Sequence, residues 1–279
     1  NDEHPLPSMT GDLSGIGGNF NINGWADGNG GIRDRLYVVD RLAESGVLAA
    51  TTLTGFSIPD GNSLNYVNVE LVEIQMGDGD NTLRVESLAS TVMATFYGGS
   101  GNDSLDVGNQ ADQLEDIQGI VVFNGQDGVD TLNAYDSGDT TDNTGQLTAI
   151  NITGFGMGTN AWLSVHIDMG ALPITPAGEI PCTADNSCPA AIYYARRNDT
   201  DQISSDVEVV NVFMGFGDDT LQVDSTYDLS VTNAYGGAGD DRFEIEVTPN
   251  GLHPNDLRRV DYIAGPLNVY GGEGDGDYV

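Results

Sequence analysis

Lysine is absent from this chain. All of its positive charge comes from nine arginines, set against 43 aspartates and glutamates, for a formal net charge of −34. A field of that sign repels nucleic-acid phosphate and anionic membrane surfaces, so neither is expected as a partner. It favours bound cations instead, because unscreened like charge pushes a compact state apart. Histidine is scarce as well. His4, His166 and His253 show no zinc spacing, and no G-x-S-x-G elbow or base-nucleophile pairing accompanies them. The chain is therefore read as non-enzymatic. No apolar run approaches the ~18 residues of a membrane span. No signal peptide stands at Asn1, so a mature or excised piece is expected.

Cysteine is limited to Cys182 and Cys188, in "CTADNSC". One close pair in a lysine-free acidic chain fits a secreted or cell-surface protein with a small disulfide loop. Two free thiols in a cytosolic loop are the alternative. Helical periodicity with caps is missing too. What the chain has instead is glycine, 38 residues of it, with no three-residue collagen period.

Those glycines fall in a repeated phrase. A glycine-rich turn ends in Asp or Asn, then x, then an apolar residue. This occurs at Asp34, Asn81, Asp103, Asp130, Asp219, Asp241 and Asp277, with gaps of 47, 22, 27, 89, 22 and 36 residues. The flanking text repeats as well. "VELVEIQMGDGDNTLRVES" from Val69 returns as "VEVVNVFMGFGDDTLQVDS" from Val207, 138 residues on. "TTLTGFSI" matches "INITGFGM", and "IQGIVVFNGQDG" matches "IAGPLNVYGGEG". Self-similarity of this kind marks repeat architectures. The expected layout is a tail at 1–16, one unit at 17–118, a second at 119–264, and a final turn at 265–279 that reads as the start of a further repeat. The second unit carries an insertion at about 156–200. It holds both cysteines and Pro173, Pro176, Pro181 and Pro189, and is expected to form an ordered side loop.

Between turns lie short alternating or apolar runs such as "LVEIQM", "LRVES" and "IVVF", which read as strands. Strands punctuated by glycine turns at about 20-residue spacing predict an all-β fold, a parallel β-helix or β-solenoid. Inward Leu, Val, Ile and Phe would stack in columns. A sandwich would not explain why one turn recurs at one place in each coil. The glycines let each turn curl its carbonyls toward a point, and the Asp adds a carboxylate there. An oxygen-rich, flexible site of that kind suits Ca²⁺.

The turns "GGSGNDSLD" and "GGAGDDRFE" resemble the G-G-x-G-x-D-x-(apolar)-x nonapeptide of the RTX (repeats-in-toxin) calcium-binding family. The longer unit resembles modules of very large extracellular bacterial repeat proteins. The RTX resemblance implies Ca²⁺ as cofactor, with ligands at Asp103 and Asp241 and, in the degenerate turns, at Asp219, Asp130, Asp277, Asn81 and Asp34. Asp78, Asp80, Asp218, Asp240 and Asp127 are candidate outer ligands. RTX nonapeptides run back to back, whereas here one turn recurs per coil, so the acidic turns are expected to line one edge. The acidic stretch "YDSGDTTDNTG", with Asp136, Asp139 and Asp142, is expected to be a solvated loop. Its counterpart in the first unit keeps only Asp40 and Glu44.

The function expected is that of a calcium-stabilised structural module of a surface adhesin, sheath or filament. Its partners would be copies of itself or neighbouring repeats, with surface glycans as a further class. The alternatives are a polysaccharide-active β-helix lyase or epimerase and a glycan- or ice-binding module. Arg196-Arg197 near Asp199 and Asp201 is read as a surface ion-pair patch. Tyr97, Tyr235 and Tyr270, each before a GG turn, are read as a stacked aromatic column.

Overall fold

A computed structural model describes residues 13–15, 17–24, 34–42, 44–160, 188–197, 202–245, 262–274 and 276–279. The three histidines, Cys182 and the Cys188 side chain lie outside the described residues, and the disulfide expectation with them. So do Asp199 and Asp201 of the expected ion-pair patch.

The chain is all-β. Among the described residues, helix is confined to a 3-10 turn at Leu13–Gly15 and to Tyr262. The strands are β1 (Phe20–Asn23), β2 (Arg35–Val39), β3 (Ser45–Ala49), β4 (Thr52–Gly55), β5 (Leu64–Val67), β6 (Leu71–Gln75), β7 (Thr82–Val85) and β8 (Met93–Ser100). They continue with β9 (Ser104–Val107), β10 (Ile120–Asp127), β11 (Thr131–Tyr135), β12 (Thr144–Leu147), β13 (Asn151–Gly154), β14 (Thr159–Asn160), β15 (Cys188–Pro189) and β16 (Ala191–Tyr193). The last are β17 (Arg196–Arg197), β18 (Ile203–Ser204), β19 (Val209–Phe213), β20 (Thr220–Val223), β21 (Val231–Ala238), β22 (Arg242–Ile245) and β23 (Leu267–Glu273).

Two large, mostly parallel sheets share these strands. The first has the order β1-β5-β4-β3-β7-β9-β11-β19-β21-β23, and the second β2-β6-β8-β10-β16-β13-β12-β20-β22. From β6 to β12, and again from β19 to β23, successive strands alternate between the sheets. Each crossing brings equivalent inward residues into register. Leu83, Leu105 and Leu132 pair across β7, β9 and β11, and Ile74, Phe96 and Phe123 across β6, β8 and β10. All six belong to one core and are at most 2% exposed. Burying each such side chain contributes about 1.5–3 kcal/mol. The alternation in the sequence is the direct cause, since residues two apart in a strand share a face.

Two antiparallel interruptions were not anticipated. The hairpin β3–β4 pairs Gly46 with Gly55, and β12–β13 pairs Gly145 with Gly154. The following residues, Phe56 and Phe155, adopt φ of 48° and 51°. Their rings turn back over Gly46 and Gly145, where a Cβ would overlap them. The matched "TGF" words encode this fold-back. The insertion is likewise more than a side loop. Its segment Ala190–Ala195 is buried, and β16 fills the place between β10 and β13 in the second sheet.

Matched strands lie on opposite sheets. β6 belongs to the second sheet, whereas β19, which repeats its text, belongs to the first. The glycine turns therefore form two rows. Those after β6, β8 and β10 lead from the second sheet to the first. Those after β19 and β21 lead the other way. The single acidic edge expected from the sequence is corrected to two. The aromatic column divides for the same reason. Tyr235 and Tyr270 stack with Tyr135 and Phe213, while Tyr97 sits on the second sheet.

Overpacking tests the fold-back. Gly145→Ala is expected to cost about 1–3 kcal/mol by forcing Phe155 off its seat. A drop in the urea midpoint at unchanged m-value would register it.

Candidate metal centre

The residue that ends each glycine turn is buried. Asn81 and Asp103 are 1% exposed, Asp130 0%, Asp219 1% and Asp241 0%. Asp34 and Asp277 are partly buried. The cause lies in the backbone. Each of these residues has an N–H at the corner where the chain enters a strand, and a buried N–H must find an acceptor. The acceptor is the carboxylate or amide oxygen of the next turn. Asn81 N donates to Asp103 Oδ1 at 2.8 Å, and Asp103 N to Asp130 Oδ1 at 2.8 Å. Asp130 N donates to Glu208 Oε2 at 2.7 Å, while Asp34 N, which leads into β2 of the second sheet, donates to Glu70 Oε2 at 3.0 Å. In the other row Asn143 N donates to Asp219 Oδ1 at 2.7 Å, Asp219 N to Asp241 Oδ1 and Asp241 N to Asp277 Oδ1, both at 3.0 Å.

A second ladder runs one residue earlier, at the surface, with opposite polarity. Asp80 Oδ1 accepts from Asn102 N at 2.7 Å, and Asp142 Oδ1 from Asp218 N at 3.0 Å. Asp218 Oδ1 accepts from Asp240 N at 2.9 Å, and Asp240 Oδ1 from Gly276 N at 3.0 Å. The expected outer ligands Asp80, Asp218 and Asp240 thus serve as exposed backbone acceptors, as does Asp142. Asp78 and Asp127 are exposed as well. Asp78 Oδ1 takes the Ser100 hydroxyl at 3.1 Å, and Asp127 gives its main-chain carbonyl to Gly101 N at 2.9 Å.

The inner carboxylates use one oxygen this way and keep another. Asp103 Oδ2, Asp130 Oδ2 and Asp241 Oδ2 are buried with no hydrogen-bond partner. Glycine makes the space they occupy. A Cβ on Gly98 would collide with both Asp103 Oδ2 and the Gly125 carbonyl oxygen. One on Gly125 would meet Asp130 Oδ2 and the Asp206 carbonyl oxygen, and one on Gly236 would meet Asp241 Oδ2 and the Gly271 carbonyl oxygen. Acceptor faces acceptor in all three cradles. Asp219 differs, since its Oδ2 accepts Gly215 N at 2.9 Å. Asn81 is the instructive contrast. Its Nδ2 donates to the carbonyls of Gly77 at 2.9 Å and Gly79 at 2.7 Å, and to Asp103 Oδ1 at 3.0 Å. An amide N–H₂ satisfies the turn without a cation, so Asn81 does not fit the ligand role expected for it.

A hard divalent cation fits the three orphaned sites. Ca²⁺ takes carboxylate and carbonyl oxygens in flexible geometry. Asp103, Asp130 and Asp241 would hold it, with main-chain carbonyls of the neighbouring turns. The ion would supply positive charge where a partnerless carboxylate oxygen and a carbonyl oxygen border the same space.

A further acidic group overturns the solvated-loop expectation. Asp136 and Asp139 are 1% and 4% exposed, and with Glu115 they offer oxygens within 4.8 Å of one another. Of the three aspartates in the expected solvated loop, only Asp142 is exposed. Asp136 accepts from Leu114 N at 3.1 Å and Asn143 Nδ2 at 3.2 Å. Asp139 takes Thr140 N, Thr141 N and the Thr141 hydroxyl at 2.6, 3.1 and 2.8 Å, and also Asn143 Nδ2. Glu115 Oε2 is buried without a partner. The signal for Asp136 was present: it continues the inward phase of Leu132 and Ala134. Asp40 follows Leu36 and Val38 in the same way and is 0% exposed, its oxygens taken by Ser57 N at 2.7 Å and the Ser57 hydroxyl at 3.0 Å. Glu115 gave no such signal.

Protons are the other way to relieve these sites. Burial, reinforced by neighbouring carboxylates, raises Asp130 and Asp241 to about 6 and Asp136 to about 7. Asp103, Asp219 and Glu115 are raised for the same reasons. At Asp139 burial is outweighed by its hydrogen bonds from Thr141, Thr140 and Asn143, and the pKa is lowered. No protein-family model matches the chain, and neither a curated protein nor a solved structure is significantly similar to it.

Two outcomes are expected. The raised acids bind protons more tightly in the folded state, so their stabilisation is full below about pH 4 and is lost as pH rises through about 6 to 7. Cation-free protein should melt higher at about pH 5 than at neutral pH, and saturating calcium should remove that difference. Asp241→Asn should stabilise the calcium-free protein by about 1–3 kcal/mol by giving the turn the donor that Asn81 has. It should also remove one calcium from the calorimetric stoichiometry.

Proposed function

We propose that the chain is a right-handed parallel β-solenoid of two tandem units, stabilised by Ca²⁺, serving as a structural module of an extracellular adhesin, sheath or filament. The observation that carries this reading is the set of three buried carboxylate oxygens facing main-chain carbonyls. Such an arrangement is costly unless a cation or proton intervenes. Calcium abundant outside the cell would screen the stacked acids and lock adjacent turns, coupling folding to secretion.

The enzymatic and glycan readings have less support. Arg84 is engaged by Asp112 at 2.6 Å, and Arg35 by Glu73 at 2.7 Å, with Arg242 beside Glu244. These pairs lie along the sheets rather than around a cleft. The aromatic column stacks face to face, at 4.9, 4.8 and 4.8 Å with interplanar angles of 7°, 7° and 8°. The inner ring faces are thereby taken, and a sugar needs a free face.

The test is a calcium titration of EGTA-stripped protein at neutral pH, read by far-UV circular dichroism and calorimetry, with magnesium as control. Growing β signal, a rising Tm and several bound calcium ions are expected. Protein that is fully folded when stripped, and that takes up no calcium, would overturn the reading.

A further inference from the structure

The internal junction of the molecule is built on one strand. β10 lies in the second sheet between β8 and β16, so Val121 pairs with Ala94 on one side and Ile192 on the other. Each outer edge of the first sheet carries half of this arrangement. β23 pairs with β21, which repeats β8, and sets Leu267 against Thr232. β1 pairs with β5 and sets Phe20 against Leu64. β5 in turn matches β16. A buried tyrosine marks each, Tyr66 within β5 and Tyr194 directly after β16, and its hydroxyl donates to the hairpin carbonyl of Ala49 and Thr148 respectively. Leu267 and Phe20 thus hold the two halves of the place that Val121 fills alone. Among the described residues, the outer edges of β1 and β23 have no partner strand.

We propose that β23 of one copy takes the place of β1 in the next, pairing with β5 and joining copies head to tail through the junction already present inside the chain. The proposal rests on the two-unit solenoid reading and not on calcium. Four features converge on it. Direction agrees, because β1 and β23 are each parallel to their partners, and the two reversals at β4 restore one direction along the sheet. Phase agrees, because Leu267 and Val269 are less exposed than Asn268 and Tyr270 and would fall where Phe20 and Ile22 now meet Leu64 and Tyr66. Amide polarity agrees. Asn65 Nδ2 now donates to Asn21 Oδ1 at 2.9 Å, while Asn268 donates its own Nδ2 to Asn233 Oδ1 at 2.8 Å and so presents an Oδ1 of the same kind. Length favours the exchange, because β23 has seven residues and β1 four. β1 is also a poor cap, with Phe20 55% exposed although it faces the core side. An edge with unpaired backbone groups is a template for strand addition.

The experiment uses the whole chain in calcium. Copies carrying Asn65→Cys are mixed with copies carrying Asn268→Cys under mild oxidant, and cross-linked peptides are mapped by mass spectrometry, so that Cys182 and Cys188 are scored separately. Light scattering follows mass against concentration. Mass growing with concentration and an Asn65→Cys to Asn268→Cys link are expected. An excess of the peptide AGPLNVYGGEG, residues 264–274, should cap growth and return the protein to monomer. In a parallel mixture of Asn268→Cys copies with copies carrying Asn21→Cys, a link between those two cysteines would mean that β1 stays in place, and would overturn the exchange. A monomer at every concentration would overturn it too. Circular dichroism and calcium uptake on the same samples show independently whether the calcium reading stands.

Discussion

One hydrogen bond organises this molecule: a backbone N–H at the mouth of a strand, donated to a carboxylate buried in the following turn. A buried main-chain donor has to be satisfied, and here a side chain two residues short of the core does it. The bond fixes where each strand begins, so that Leu83, Leu105 and Leu132 arrive in register. It also has a consequence that a main-chain ladder does not. A carboxylate has two oxygens, and the turn uses only one. The second is left among carbonyls at Asp103, Asp130 and Asp241, and repeating the turn repeats the problem. Stacked acids of this kind need positive charge, whether from a cation or from protons.

Glycine is the other half of that constraint. At Gly98, Gly125 and Gly236 any side chain would occupy the space where carboxylate and carbonyl converge. At Gly46 and Gly145 any side chain would displace the aromatic ring that folds back over the hairpin. The abundance of glycine therefore reflects close backbone approach at particular points. It is not a mark of looseness.

Repetition and inversion act together. Because matched strands occupy opposite sheets, the second set of turns faces the other way from the first. The acidic charge is divided into two rows, which lowers the repulsion any single row would carry. The same inversion means that the strand linking the units, β10, is flanked in the second sheet by β8 and β16, whose counterparts β21 and β5 lie next to the two edge strands of the first. The proposed calcium sites and the proposed junction between copies both follow from one repeated supersecondary unit that cannot complete its own edge.

Much of this was written locally and could be read locally. The glycine-Asp turn, the apolar residue two places on and the strict alternation after it depend only on neighbouring residues, so the sequence by itself determined strands, turns, inward columns and the positions of Asp103, Asp130, Asp219 and Asp241. Asp40 and Asp136 were legible too, by the phase of Leu36–Val38 and Leu132–Ala134. Contacts between distant segments were not. No local pattern says that Glu115 meets Asp136 and Asp139, that β16 inside the insertion completes a sheet, or that Asn81 turns its amide nitrogen to the carbonyls while Asp103 has only an oxygen to offer. The number of acidic rows was equally hidden, because it depends on which sheet a strand joins. The tertiary structure alone decided these matters. Burial and hydrogen-bond satisfaction are properties of what packs against a residue, and in this chain the packing partner of each turn is another turn 22 or more residues away.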